Sequence, residues 1–89
     1  MKLSTKGRYA MVALADLAMA EAKAGGDDRV SLAAISKRQD ISLPYLEQLF
    51  VKLRRAGLVE AVRGPGGGYR LAKSPDQIRV SEVMVAVEE

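Results

Sequence analysis

Apolar positions change their period along the chain, and each change marks an element. Between Tyr9 and Ala20 the only charged residue is Asp16. At ~100° per residue, Tyr9, Val12, Ala13, Asp16, Leu17 and Ala20 share one side, while Met11, Leu14 and Ala18 lie on the other. This predicts a first helix over about Thr5–Ala22, with Ser4 as its N-cap. A helix apolar nearly all round is buried on more than one side. It is either the central helix of a small domain, or a helix whose second face meets another subunit or a further segment.

After an acidic loop, Ala24-Gly25-Gly26-Asp27-Asp28, a short strand at Arg29-Val30 leads to Ser31. Ser31 caps a second helix, Leu32 to about Arg38, with Leu32 and Ile35 pointing inward. Gln39-Asp40-Ile41 forms the turn, and Ser42 caps a third helix from Leu43 to Ala56. Pro44 falls in its first turn, where a missing amide costs nothing, and Gly57 is its C-terminal stop. Leu46, Leu49, Phe50 and Leu53 recur at i, i+3, i+4 and i+7 and must face the core. Opposite them lie Pro44, Gln48, Val51, Lys52 and Arg55, with Tyr45 and Glu47 on the flanks.

Two short strand patterns follow, Leu58–Val62 and Tyr69–Leu71, joined by Arg63-Gly64-Pro65-Gly66-Gly67-Gly68. A turn at Ser74–Gln77 precedes a last helical segment in which Val80, Val83, Met84 and Val87 share one face. That pattern reaches Glu88-Glu89 without a capping signal, as if the helix led into a further C-terminal part. The sum is a mainly α fold with one small β-hairpin. Its helix pair, about residues 31–56, is joined by a short turn and is followed by a hairpin at about 58–72. That is a winged helix-turn-helix, whose second helix enters the DNA major groove.

Composition narrows the chemistry. Eighty-nine residues, 48% hydrophobic and 28% charged, make one globular domain with a thin core. There is no Cys and no His, which removes disulfides, thiolate or imidazole metal ligands, and nucleophile schemes built on either residue. Lys2, Lys6, Arg8 and Asp16 break up any signal peptide, and no run of ~18 apolar residues exists to span a membrane, so a cytoplasmic location is expected. The acids form no catalytic pair: Asp27 and Asp28 are loop neighbours, and Asp16 is expected to serve as a helix cap partner or to pair with Arg8 or Lys6. No enzyme is expected. The glycine run lacks the strand, G-x-x-x-x-G-K-[ST] and helix of a phosphate loop, so no nucleotide cofactor is expected either.

The net charge of +3 matters less than where the cations sit. Residues 1–10 hold Lys2, Lys6 and Arg8 with no acid. Residues 52–73 hold Lys52, Arg54, Arg55, Arg63, Arg70 and Lys73 against Glu60 alone. Such a stripe is the footprint of polyanion binding, against the competing reading of an ordinary solvated face. On the third helix, groups able to touch base edges come first and cations able to meet phosphates come later. Glu47 repels phosphate and is compensated only by accepting from a cytosine amino group, unless it simply pairs with Lys52. Gln48 suits adenine, and Tyr45 is either a DNA contact or a core residue. Gly64 and Gly66 let Arg63 and Arg70 approach a narrow minor groove.

Three segments carry a family resemblance: Lys2-Leu3-Ser4-Thr5-Lys6-Gly7-Arg8-Tyr9-Ala10, Ile41-Ser42-Leu43-Pro44-Tyr45-Leu46-Glu47-Gln48-Leu49-Phe50, and Val62-Arg63-Gly64-Pro65-Gly66-Gly67-Gly68-Tyr69. Together they resemble the IscR family, iron–sulfur cluster regulators among the bacterial winged-helix transcription factors. The resemblance implies promoter DNA as partner, with positions Ser42, Tyr45, Glu47 and Gln48 reading the major groove and Arg63 the minor groove. Pro44 stands where a small polar residue is common, so no base contact is carried over to it. The resemblance also implies a homodimer, a cysteine-held cluster and a long dimerisation helix. These residues include neither the cysteines nor the long helix, so no cofactor is carried over. Dimerisation, hinted at by the apolar second face of the first helix, is expected to be weak without the long helix. The alternative is a winged helix that docks on proteins and does not bind DNA.

Overall fold

The computed structural model describes residues 4–24, 30–64 and 67–88. Lys2, the loop acids Asp27 and Asp28, Arg29, and the hairpin residues Pro65 and Gly66 therefore lie outside the described residues. Helix α1 spans Thr5–Ala24, α2 Leu32–Gln39, α3 Leu43–Arg55 and α4 Val80–Glu88. Strands β1 (Val59–Ala61) and β2 (Tyr69–Leu71) pair antiparallel, and a single 3-10 turn covers Pro75–Gln77. The chain is a mainly helical winged helix-turn-helix.

Helix α1 runs one half-turn past its expected end, and the structure selects one buried face from a helix whose periodicity singled out none. Ala10, Ala13, Leu14 and Leu17 form the inward stripe, along the seam between the two apolar sides. The small alanines allow α3 and α4 to come close. Met11, Leu14 and Ala18 are buried or half-buried, whereas Val12, Ala15 and Met19 are left exposed on the far side of the helix. At its start, Ser4 Oγ accepts from the Gly7 amide at 3.0 Å and donates to the Glu88 carboxylate of α4. A β-carbon at Gly7 would meet the Met84 thioether, so the Met84 side chain packs directly on the α1 backbone here and would have to move for any larger residue.

The helix pair follows its local signals. Ser31 Oγ accepts from the Ala34 amide at 3.1 Å, and Asp40 ends α2 in the left-handed region at φ 55°. Ile41 N–H returns to the Ser36 carbonyl, which keeps the turn to α3 tight. Helix α3 buries Leu46, Leu49, Phe50 and Leu53, as its stripe required, against α1, α4 and β1. It stops at Gly57, whose φ of 78° suits the C-terminal position.

The hairpin is longer than its two three-residue strands. Val62 N–H donates to the Gly68 carbonyl at 2.8 Å and Ala72 N–H to the Leu58 carbonyl at 3.0 Å, extending the ladder at both ends. On the outer edge of β2, Val30 exchanges both backbone hydrogen bonds with Tyr69. Phe50 packs on Tyr69 with ring centroids 5.0 Å apart, which seats the hairpin root against α3. The core is closed by Val83 and Val87 of α4.

Candidate nucleic-acid interface

Because α3 turns four apolar residues inward, its polar residues have one place to go. Ser42 Oγ accepts from the Tyr45 amide at 3.2 Å, and Pro44 occupies the first turn. Glu47 and Gln48 are exposed and make no hydrogen bond or ion pair among the described residues. The competing pairing of Glu47 with Lys52 is not formed. A 13-residue helix is ~20 Å long and, side chains included, ~10–12 Å across, which suits a major groove ~12 Å wide.

Lys52 departs from expectation. Its ammonium donates to the Val87 carbonyl of α4 at 3.3 Å. Position 52 lies close enough to the apolar stripe for a long stem to reach α4, so this cation faces sideways. Arg55 stays exposed. Tyr45 is half-buried, its ring edge-on to Tyr9 with centroids 5.6 Å apart. That contact ties the starts of α1 and α3 together, with Lys6 and Arg8 exposed on the same end of α1.

At the hairpin end Arg63 is exposed. Gly64 adopts φ 130°, which an L side chain would strain, and its carbonyl accepts from Gly67 N–H at 2.9 Å. Gly66 lies outside the described residues. Arg70, expected to approach a groove beside Arg63, instead meets Glu60 across the ladder at 2.9 Å.

Two carboxylates of α1 hold this surface from behind, and sequence reasoning missed both roles. Asp16, the buried acid, pairs with Arg38 and not with Arg8 or Lys6. Arg38 Nη2 and Nε reach its oxygens at 2.6–3.2 Å, and Gln39 Nε2 at 2.8 Å. The Arg38 hydrogen bonds hold the Asp16 carboxyl below its ordinary range, against the opposing effect of burial, with help from Gln39. A lone acid within an apolar helix signalled that a partner must exist, but nothing local named it. Glu21 accepts from the Leu71 amide at 2.5 Å. Among the described residues no three acids gather closely enough to hold a metal ion, and no helix is long and apolar enough to cross a membrane.

Residues 3–89 match the Rrf2 model, described as an iron-dependent transcriptional regulator. Over all 89 residues the chain is 78% identical to the HTH-type transcriptional regulator IscR of Cereibacter sphaeroides, covering 56% of that protein. It is 61% identical to the regulator of the same name from Aliivibrio salmonicida, covering 51% of it. The chain thus spans about half the length of the curated relatives it matches. Among solved structures, T. potens IscR superposes with a TM-score of 0.85 at 47% identity, over all of this chain and 62% of that one. CymR, the global cysteine regulator of B. subtilis, superposes at 0.84 with 41% identity, over 99% of this chain and 65% of that one. Sequence and fold agree that this chain belongs to the Rrf2 family of transcriptional regulators.

Proposed function

We propose that the chain is the DNA-reading domain of an IscR-like regulator, acting in the cytoplasm on promoters of iron-responsive and iron–sulfur cluster biogenesis genes. The observation that carries the reading is the exposed, unpaired Glu47–Gln48 pair on a helix whose opposite stripe is fully buried. In this reading Ser42, Tyr45, Glu47 and Gln48 face base edges from the first turns of α3. Arg55, Lys6 and Arg8 meet phosphates, and Arg63 reaches into the adjacent minor groove. Binding and not catalysis is the activity. None of the 89 residues is Cys or His, so they do not fit an iron–sulfur cluster, and no part of the proposal runs through one. A homodimer formed by these residues alone would rest on a few exposed large apolar side chains, Tyr9, Val12 and Met19 on α1 and Val80 and Val85 on α4, and is weak in this reading.

The test is a duplex recovered from a randomised pool, titrated by fluorescence anisotropy from 50 to 300 mM salt and compared with a scrambled duplex. Three phosphate contacts per chain, from Arg55, Lys6 and Arg8, give a slope of about −2.7 in log K against log salt. A flat dependence, or equal affinity for both duplexes, refutes the reading. No duplex binding combined with a stoichiometric protein complex favours a protein-docking winged helix.

A further inference from the structure

We propose that Asp16 and Glu21 of α1 are positioning residues for DNA recognition, Asp16 setting the reading helix and Glu21 setting the wing. The inference rests on the DNA reading above and assigns each half of the interface its own anchor.

The Asp16 side chain is 5% exposed and takes both the guanidinium of Arg38 and the amide of Gln39. Those two residues form the last turn of α2. Asp40 follows in the left-handed conformation, then Ile41, then Ser42, the cap of α3. The turn is itself closed, since Ile41 N–H meets the Ser36 carbonyl and Ser36 Oγ donates to the Ile41 carbonyl. A closed turn carries the placement of Gln39 into the direction of α3 with little slack. The planar fork of Arg38 on two carboxylate oxygens fixes both distance and angle, as a point charge would not. Asp16 thereby sets where the first turn of α3, with Glu47 and Gln48, stands relative to α1.

Glu21 acts on the other element. Alternate amides of β2 point to opposite edges. Gly68 and Ala72 bond toward β1, while Tyr69 bonds outward to Val30. Leu71 N–H points outward as well, one pleat beyond the antiparallel Val30–Tyr69 bridge. The Glu21 carboxylate supplies the missing acceptor at 2.5 Å. This charge-assisted bond fixes the root of the hairpin that carries Arg63. The two anchors are independent: they sit at different heights on α1 and share no partner.

The experiment is a set of double-mutant cycles on duplex discrimination, read by anisotropy. In the unaltered chain, Glu47→Ala lowers the preference for the selected duplex by about 5- to 150-fold, and Arg63→Ala lowers affinity for A·T-flanked sites. In the Asp16→Asn background the Glu47→Ala effect should shrink to under about threefold while the Arg63→Ala effect is kept. In the Glu21→Ala background the reverse holds, and Glu21→Gln, which still offers an acceptor, restores much of the Arg63 effect. A merely structural role would lower affinity for all duplexes and leave both cycles additive. Additive cycles, or equal shrinkage of both effects, overturn the proposal. Should Asp16→Asn not fold, Arg38→Gln tests the same anchor from its half-exposed side and must give the same cycle. An unaltered chain that binds no duplex overturns the DNA reading itself, a result distinct from additive cycles in a chain that binds.

Discussion

Replacing Glu47 with alanine separates recognition from folding better than any other change on α3. Glu47 is exposed and has no ion pair among the described residues, so its loss should alter stability by no more than ~0.5 kcal/mol. For a domain of this size that is a shift of about 2–4 °C in Tm. Removing a carboxylate that faces phosphates across screened solvent should strengthen nonspecific binding by a few tenths of a kcal/mol. Against this, losing acceptance from a cytosine amino group costs about 1–3 kcal/mol on the preferred duplex alone. The preference ratio therefore falls by about 5- to 150-fold while scrambled duplex is bound as well or slightly better. The assay is competition anisotropy with the selected duplex and a variant carrying one changed base pair, alongside thermal melting by circular dichroism. An equal loss on every duplex, with preference intact, refutes base reading by Glu47. So does a Tm shift well beyond 4 °C, which would show a structural role instead.

Further changes probe the core and the cations. Phe50 is fully buried and stacks edge-on to Tyr69, so Phe50→Ala should cost about 3–5 kcal/mol of the ~4–13 expected for a chain this long, and Phe50→Leu much less; urea midpoints that hardly move would refute the packing argument. Asp16 has a folded pKa below its unfolded value, so its contribution is present above that unfolded value and is lost as pH falls through the folded one. Urea unfolding between pH 6 and pH 2 should therefore show a shallower acid decline in Asp16→Asn than in the unaltered chain, and identical declines would count against the clamp. Arg55→Gln should reduce the salt slope by ~0.9, whereas Lys52→Gln should leave it unchanged because that ammonium is committed to the Val87 carbonyl. A reduced slope for Lys52→Gln would place the residue on DNA after all.

Much of the candidate site was legible before folding because its signals are local. The Ser42 cap, Pro44 in the first turn, the Leu46–Leu49–Phe50–Leu53 stripe and the Gly57 stop lie within a few residues of one another. Helical geometry converts that spacing directly into an inner and an outer face. The same logic placed Glu47 and Gln48 outward and identified the hairpin from glycines that tolerate positive φ. It left the face of α1 open, because a helix apolar on nearly every side has no single preferred face, and the structure places Ala10, Ala13, Leu14 and Leu17 inward.

The contacts that aim the reading surface belong to another class. Asp16 meets Arg38 across 22 positions, Lys52 meets Val87 across 35, and Glu21 meets Leu71 across 50. No periodicity links such pairs, since each depends on the angles at which whole helices cross. Helix boundaries, caps, the buried stripe and the family were written into neighbouring residues. Which acid met which donor, and which cations stayed free for a polyanion, was decided when four helices closed on one core and every buried polar group had to find a partner.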